Sequence, residues 1–239
     1  MEVLSPRGAE ILQAVIKEYI VTGEPVSSDW LYEHHDFGIR PAMIRLELND
    51  LTERGFLEQP HPAAGRVPSN KGYEFFARQA LTEQGAKQDR VTEKLMMRHS
   101  WDDLAEAMSQ EMGVLAAVMR AGDREIHKGY LENLLDNLEW QSREEIKAVV
   151  RDFEELDERM DRTMSEMRHD FLDVFVGRKS PLTRSDFLSV MAGDYEVDGE
   201  RVILCAIGPK RMDYEQAARI FKGLKQCTEK EKNNERRKK

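Results

Sequence analysis

Proline and glycine punctuate the first seventy residues so closely that only short helices and a tight hairpin fit between them. Ser5 followed by Pro6 reads as an N-cap with proline at the first helical position, where its missing N–H costs nothing. Ile11, Leu12, Val15, Ile16, Tyr19 and Ile20 recur at helical spacing until TGEP at 22–25 stops the run. Ser27 or Ser28 caps a second short helix through Trp30 and Leu31, ending near HHDFG. A third begins around Pro41, turns Ile44, Leu48 and Leu51 to one face, and closes at Gly55, a residue suited to the left-handed position after a helix. FLEQP, the turn-rich HPAAGRVPSNKG and the aromatic segment GYEFFA then predict two short strands around a Gly/Pro loop.

Three short helices followed by a hairpin are the element order of a winged helix-turn-helix, placed here over residues 1–80. Residues 81–100 are polar at first and read as a linker or the start of a helix. Trp101, Leu104, Met108, Met112, Leu115 and Met119 form a stripe suited to packing on another helix, in this chain or in a second copy. GYLENLLDNLEW is a shorter amphipathic piece, and Ile146, Val149, Val150, Phe153, Leu156, Met160 and Met164 predict one long helix. FLDVFVG reads as a strand, and DFLSVMAGDYEVDGERVILCAIG as two more joined at Asp198-Gly199. A helix opened by Asp213 closes the fold, leaving 227–239 as a basic tail. The expected class is α+β and mainly helical, with a second domain over 101–226.

Charge does not favour a polyanionic partner overall: the net is −9, with 36 Lys and Arg against 45 Asp and Glu. Locally the balance reverses. Residues 37–72 carry Arg40, Arg45, Arg54, Arg66 and Lys71 against Glu47, Asp50, Glu53 and Glu58. Any nucleic-acid binding must therefore rest on where these cations sit. Two cysteines, Cys205 and Cys227, exclude a disulfide framework and make a reducing cytoplasm the expectation. Six histidines lack ligand spacing, so neither metal nor cofactor is expected. No run approaches eighteen apolar residues, and the amino terminus has neither the basic nor the apolar region of a secretory signal, so no membrane association is expected. No nucleophile elbow, HExxH or Cys/His pairing is present, and an enzyme is not expected.

On the third helix, Ala42, Arg45, Leu46, Asn49 and Glu53 point away from the apolar stripe. In a helix-turn-helix that face enters the major groove, where Arg45 reaches a phosphate or guanine and Asn49 matches adenine. The plainer alternative is a solvated helix face. Leu46 fits either a thymine methyl or a protein contact. The loop HPAAGRVPSNKG places Arg66 and Lys71 at its tip and base, as a wing along the DNA backbone or as a merely soluble hairpin. GRVPSNKG resembles a phosphate-binding loop only superficially, since Asn70 stands where the second glycine belongs and Gly72 where Ser/Thr belongs. Lys210 and Arg211 precede a helix, which suits an anion or simply a strand-to-helix turn capped by Asp213.

The stretches LSPRGAEILQAVIKEYIVTGEPVSS and DFGIRPAMIRLELNDLTERGFLEQPHPAAGRVPSNKGYEFF closely resemble the amino-terminal domain of the HrcA family of heat-inducible transcription repressors. AIGPKRMDY, GYLENLLDNLEW and FLDVFVGRKSP are similar to carboxyl-terminal segments of the same family. The resemblance implies a homodimeric repressor of chaperone operons, with a winged helix-turn-helix and a GAF-like domain carrying an inserted dimerising segment. It also implies double-stranded DNA bearing the CIRCE inverted repeat as the target and a GroEL-type chaperonin as a partner. Carried onto this chain, it makes Arg40, Pro41, Met43, Arg45, Leu46 and Asn49 the reading-helix candidates, with His61, Arg66 and Lys71 on the wing.

Departures from the family pattern fall on that helix: Arg40, Met43 and Leu46 stand where Ser, Thr and Asn are usual, and Pro62 replaces Thr in the wing. Between Met119 and Gly129 only RAGDREIHK is present, so the GAF-like part is expected to be trimmed to its later strands and helices. Two alternatives stay open: a chaperone or protein-interaction module, and a ligand-sensing regulator, each with altered or lost operator recognition.

Overall fold

The computed structural model describes residues 3–82, 92, 95, 97, 100–138, 142–166, 169–197 and 199–238, with side chains as far as Glu229. The chain divides into two compact units, Met1–Phe76 and Ala77–Lys239.

In the first unit α1 (Pro6–Thr22) starts where Ser5 Oγ accepts the Gly8 N–H at 3.0 Å. α2 (Ser28–His34) is capped by Ser27, whose Oγ accepts the Trp30 N–H at 3.1 Å. α3 (Pro41–Glu53) buries Ile44, Leu48 and Leu51 against α1 and α2. Its end is a Schellman motif: Gly55, at φ +74, donates its N–H to the Thr52 carbonyl, and Phe56 donates to Leu51. Phe56 is thereby turned inward, 2% exposed, and the chain enters β1 (Leu57–Glu58), which pairs antiparallel with β2 (Val67–Pro68). The aromatic segment GYEFFA is not the second strand. It lies in α4 (Asn70–Thr82), where Tyr73, Phe76 and Ala77 repeat every three to four residues and are buried.

The second unit is a five-stranded antiparallel sheet in the order β4-β3-β7-β6-β5. α5 (Trp101–Met112) packs along β3 (Leu115–Arg120) and β4 (Ile126–Lys128), which form a hairpin. α6 (Leu131–Asp136), α7 (Arg143–Glu154) and α8 (Leu156–Glu166) follow. β5 (Leu172–Val176) pairs with β6 (Leu188–Val197), and β6 with β7 (Glu200–Pro209), from Leu188↔Pro209 to Val197↔Glu200. α9 (Tyr214–Lys238) ends the fold and continues through the basic residues 230–238. One core gathers Leu115, Ala117 and Met119 of β3, Val190 of β6 and Cys205 of β7 with Val149, Leu156 and Met160 of the helices. The opposite face of β6 meets α9, where Ser189 bonds Tyr214 at 2.6 Å and the Tyr195 hydroxyl donates to the Phe221 carbonyl. Cover on both faces explains why LAAVM and VILCAI are continuously apolar rather than alternating.

Three sequence expectations are corrected here. Leu115 and Met119 are strand residues: Gly113, at φ +63, ends α5, and an i, i+4 spacing keeps one face in a strand as it does in a helix. The stripe, expected to pack in this chain or in a second copy, packs within its own unit, with Met108, Leu115 and Met119 buried. Next, the long helix is interrupted at Glu155, which no proline or glycine announces. Val149, Leu156, Met160 and Met164 still face one core, while Ile146 and Val150 are exposed. Lastly, the residues between Met119 and Gly129 are not without strand. RAGDREIHK carries the end of β3 and the whole of β4, and β3 is hydrogen-bonded to β7 from Leu115↔Ile207 to Arg120↔Val202. The segment expected over 81–100 lies mostly outside the described residues, as does Asp198 of the β6–β7 turn.

Candidate nucleic-acid interface

The face of α3 opposite its buried stripe is open. Arg40, Met43, Arg45, Leu46 and Asn49 are all exposed, Met43 at 45% and Leu46 at 59%. Pro41 is the first helical residue, and Arg40 precedes it without a side-chain cap. Among the described residues Arg40 and Arg45 form no ion pair, which leaves two open cations on this surface.

Beside it lies the loop between β1 and β2. The Gln59 Nε2 donates to the Pro62 carbonyl at 2.9 Å and to that of Ala64 at 3.1 Å, and Ala64 N–H donates to His61. These bonds fold His61, Pro62 and Ala63 into an exposed tip. Val26 and Arg66 exchange both backbone bonds, at 2.9 and 2.8 Å, so the loop returns as a partner of the segment before α2. Gly65 is required there: a Cβ would fall 2.4 Å from the Val26 carbonyl carbon and oxygen.

Arg66 is therefore not at the tip. Its Nε donates to Thr52 Oγ1 at 3.0 Å and its Nη2 to Asn49 Oδ1 at 2.7 Å, both on α3. Neither partner is charged, and partial burial draws the guanidinium below the usual arginine range. Lys71 also turns inward; its Nζ donates to the Arg54 carbonyl at 2.7 Å and lies 4.2 Å from the centre of the Phe56 ring. Lys71 thus secures the end of α3, and Arg66 secures the loop to its middle. A concavity of about 450 Å³ lies between, lined by Ser27, Arg45, Asn49, Gln59, Gly65 and Arg66 among others. Sequence reasoning missed Thr52 and Gln59, whose roles depend on a loop fourteen and three to five residues further along the chain.

The second basic candidate is structural. Lys210 pairs with Asp186 at 3.5 Å, and Asp213 Oδ1 accepts the Gln216 N–H at 2.8 Å, which makes it the cap of α9. Among the described residues there is no cluster of three metal-ligating side chains, and no helix is long and apolar enough to cross a membrane. In the second unit, a cavity of about 520 Å³ at the β6–β7 turn is lined by charges already paired, Arg201 with Asp194 and Lys225 with Asp170.

These features define a two-unit α+β protein: a small helical unit whose third helix exposes Arg45 beside the preceding Arg40, then a helix-covered antiparallel sheet. The model of the HrcA protein C-terminal domain matches residues 75–218, more than half of the chain, and the chain belongs to the HrcA family. The heat-inducible transcription repressor HrcA of Symbiobacterium thermophilum is 47% identical over 73 residues, 30% of this chain and 21% of that protein. The repressor of the same name from Clostridioides difficile is 35% identical over 114 residues, 47% of this chain and 34% of that one. The matched stretches thus span from about a fifth to a third of those relatives. A crystal structure described as a hypothetical protein at 2.2 Å resolution superposes with a TM-score of 0.75 at 17% identity, over 95% of this chain and 98% of that one; it supports the fold alone.

Proposed function

We propose that this chain is a DNA-binding transcription repressor of heat-shock chaperone genes, acting in the cytoplasm as a homodimer on a CIRCE-type inverted repeat. In this reading the first unit is a winged helix-turn-helix, α3 enters the major groove and the β1–β2 loop is the wing. The second unit is GAF-like and pairs the copies, and a GroEL-type chaperonin modulates the repressor. The observation that carries the proposal is the outer face of α3. In a chain of net charge −9, it exposes Arg40 and Arg45 and has Arg66 tied alongside, with no acidic partner for any of the three among the described residues. Phosphate contact and base reading both need donors displayed in this way. The exposed Ile146 and Val150 of α7 offer apolar surface for pairing.

Binding to a CIRCE-type repeat, a scrambled duplex and a single half-site, each at two salt concentrations, tests the proposal. Selective, salt-weakened binding to the full repeat is expected, with Arg45→Ala losing about tenfold in affinity or more. Equal, weak binding to all three duplexes overturns CIRCE recognition. The exposed Met43 and Leu46 favour one second reading, a protein-interaction face, for which affinity would be indifferent to salt.

A further inference from the structure

Resting on the reading of α3 as the DNA-contacting helix, we propose that the patch of Arg45, Asn49 and Arg66 recognises guanine in preference to adenine, with Arg66 as the residue that sets this choice. An asparagine reads adenine by accepting from N6 with its oxygen while donating to N7 with its amide nitrogen. Here that oxygen is engaged. A guanidinium has only donors, so the Asn49 atom 2.7 Å from Arg66 Nη2 is Oδ1, and Nδ2 is the atom left to the groove. The remaining lone pair of Oδ1 lies beside a positive charge that repels an incoming amino group. Arg45, one turn earlier on the same exposed face, contributes further donors. These three side chains therefore display N–H groups and positive charge, and among the described residues Asp29 is the one carboxylate lining the same concavity. Guanine meets these donors with two acceptors, O6 and N7, whereas adenine brings an N–H donor beside its N7 and cytosine a donor alone.

Arg66 is held for this role at three points. Its side chain has a second anchor on Thr52 at 3.0 Å, and Thr52 is itself fixed by its hydroxyl donating to the Leu48 carbonyl at 2.7 Å. Its backbone is pinned to Val26 in both directions, and Gly65, having no Cβ, lets the two backbones approach this closely. Arg66 is thus a positioning residue, set from the wing, that determines which half of the Asn49 amide faces DNA.

The test is selection of duplexes from a random library by the full chain, followed by direct competition, for wild type and for N49A, R66M and T52V. The wild type is expected to select a motif with one G·C pair per half-site that depends on Asn49 and that weakens when its guanine is replaced by 7-deazaguanine. N49A flattens that position, from a preference of tenfold or more to near unity, and leaves the others unchanged. R66M frees Oδ1 and raises adenine at the same position about fivefold or more. T52V, which removes the second anchor together with the Thr52–Leu48 bond and keeps the side-chain shape, moves preference in the same direction by less, and it guards against a folding defect in R66M. An A·T pair at the Asn49-dependent position in wild type, or indifference to 7-deazaguanine there, overturns the proposal. So does an N49A motif identical to wild type, or an R66M variant that loses affinity equally at every position. Failure to enrich any sequence, together with salt-independent binding, overturns DNA reading itself and is distinct from those results.

Discussion

Replacing Asp152 with alanine is expected to destabilise the second unit by about 3–4 kcal/mol. Asp152 is 4% exposed on α7, and its two oxygens accept three donors at the helix break: Arg159 Nη1 at 2.6 Å and the backbone N–H groups of Arg184 and Ser185, each at 2.8 Å, with Arg159 also held by the Leu182 carbonyl at 3.1 Å. Removing one partner of a buried ion pair costs about 3–5 kcal/mol, because the other charge is stranded. Arg159, 6% exposed, keeps Glu155 on its Nη2, which places its share near the lower end. The two abandoned N–H groups add to it, at about 1 kcal/mol or more for the buried one. The shift corresponds to roughly a hundredfold or more in the folded-to-unfolded ratio.

Urea unfolding of the W30F background measures this effect, since Trp30 lies in the first unit and Trp101 in the second. A double-mutant cycle with R159M isolates the pair, and a coupling of about 1–3 kcal/mol is expected. A loss below about 1 kcal/mol for D152A, or additivity of the two variants, would refute the claim that this network closes the break between α7 and α8.

Two further outcomes follow from the same geometry. G65A drives a Cβ into the Val26 backbone 2.4 Å away and is expected to cost about 1–3 kcal/mol, with the loss confined to the first unit's transition in urea. Burial raises the Cys205 thiol to about 12 despite a backbone hydrogen bond with Ala117 that lowers it, whereas in the unfolded chain it ionises near 8.5. Its contribution to stability is therefore complete below about pH 8.5 and is lost as pH rises toward 12, with a limiting slope of about 1.4 kcal/mol per pH unit that C205A removes. Labelling of Cys205 by a thiol reagent at pH 8 in the folded state, at the rate of a free thiol, would contradict the assignment.

The local structure of the first unit was written into the sequence residue by residue. Ser5-Pro6, Ser27, Pro41 and Gly55 are caps, first-turn prolines and a left-handed stop, and each acts through groups within a few positions of itself. The inward stripe of α3 and the outward set of Arg45, Leu46 and Asn49 likewise follow from a 3.6-residue period. The long apolar strands β6 and β7 and the cap of α9 were legible for the same reason.

What the sequence left undecided are the places where two periods coincide or a distant partner intervenes. Leu115 and Met119 satisfy helix and strand alike, and only the pairing of β3 with β7 chooses between them. GYEFFA has the aromatic content of a strand, but its outer neighbours are those of a helix whose buried face recurs at Tyr73, Phe76 and Ala77. Arg66 could be assigned to the tip of a loop from spacing alone. Its actual place on Thr52 and Asn49 depends on the Val26 bridge and on Gly65, contacts between residues separated by about forty positions. Composition and periodicity determine which residues cap, turn and face inward, because those forces act over one or two turns of chain. Which donor meets which acceptor across the loop is decided by tertiary packing, because a hydrogen bond depends on distances of a few tenths of an ångström that no local pattern encodes.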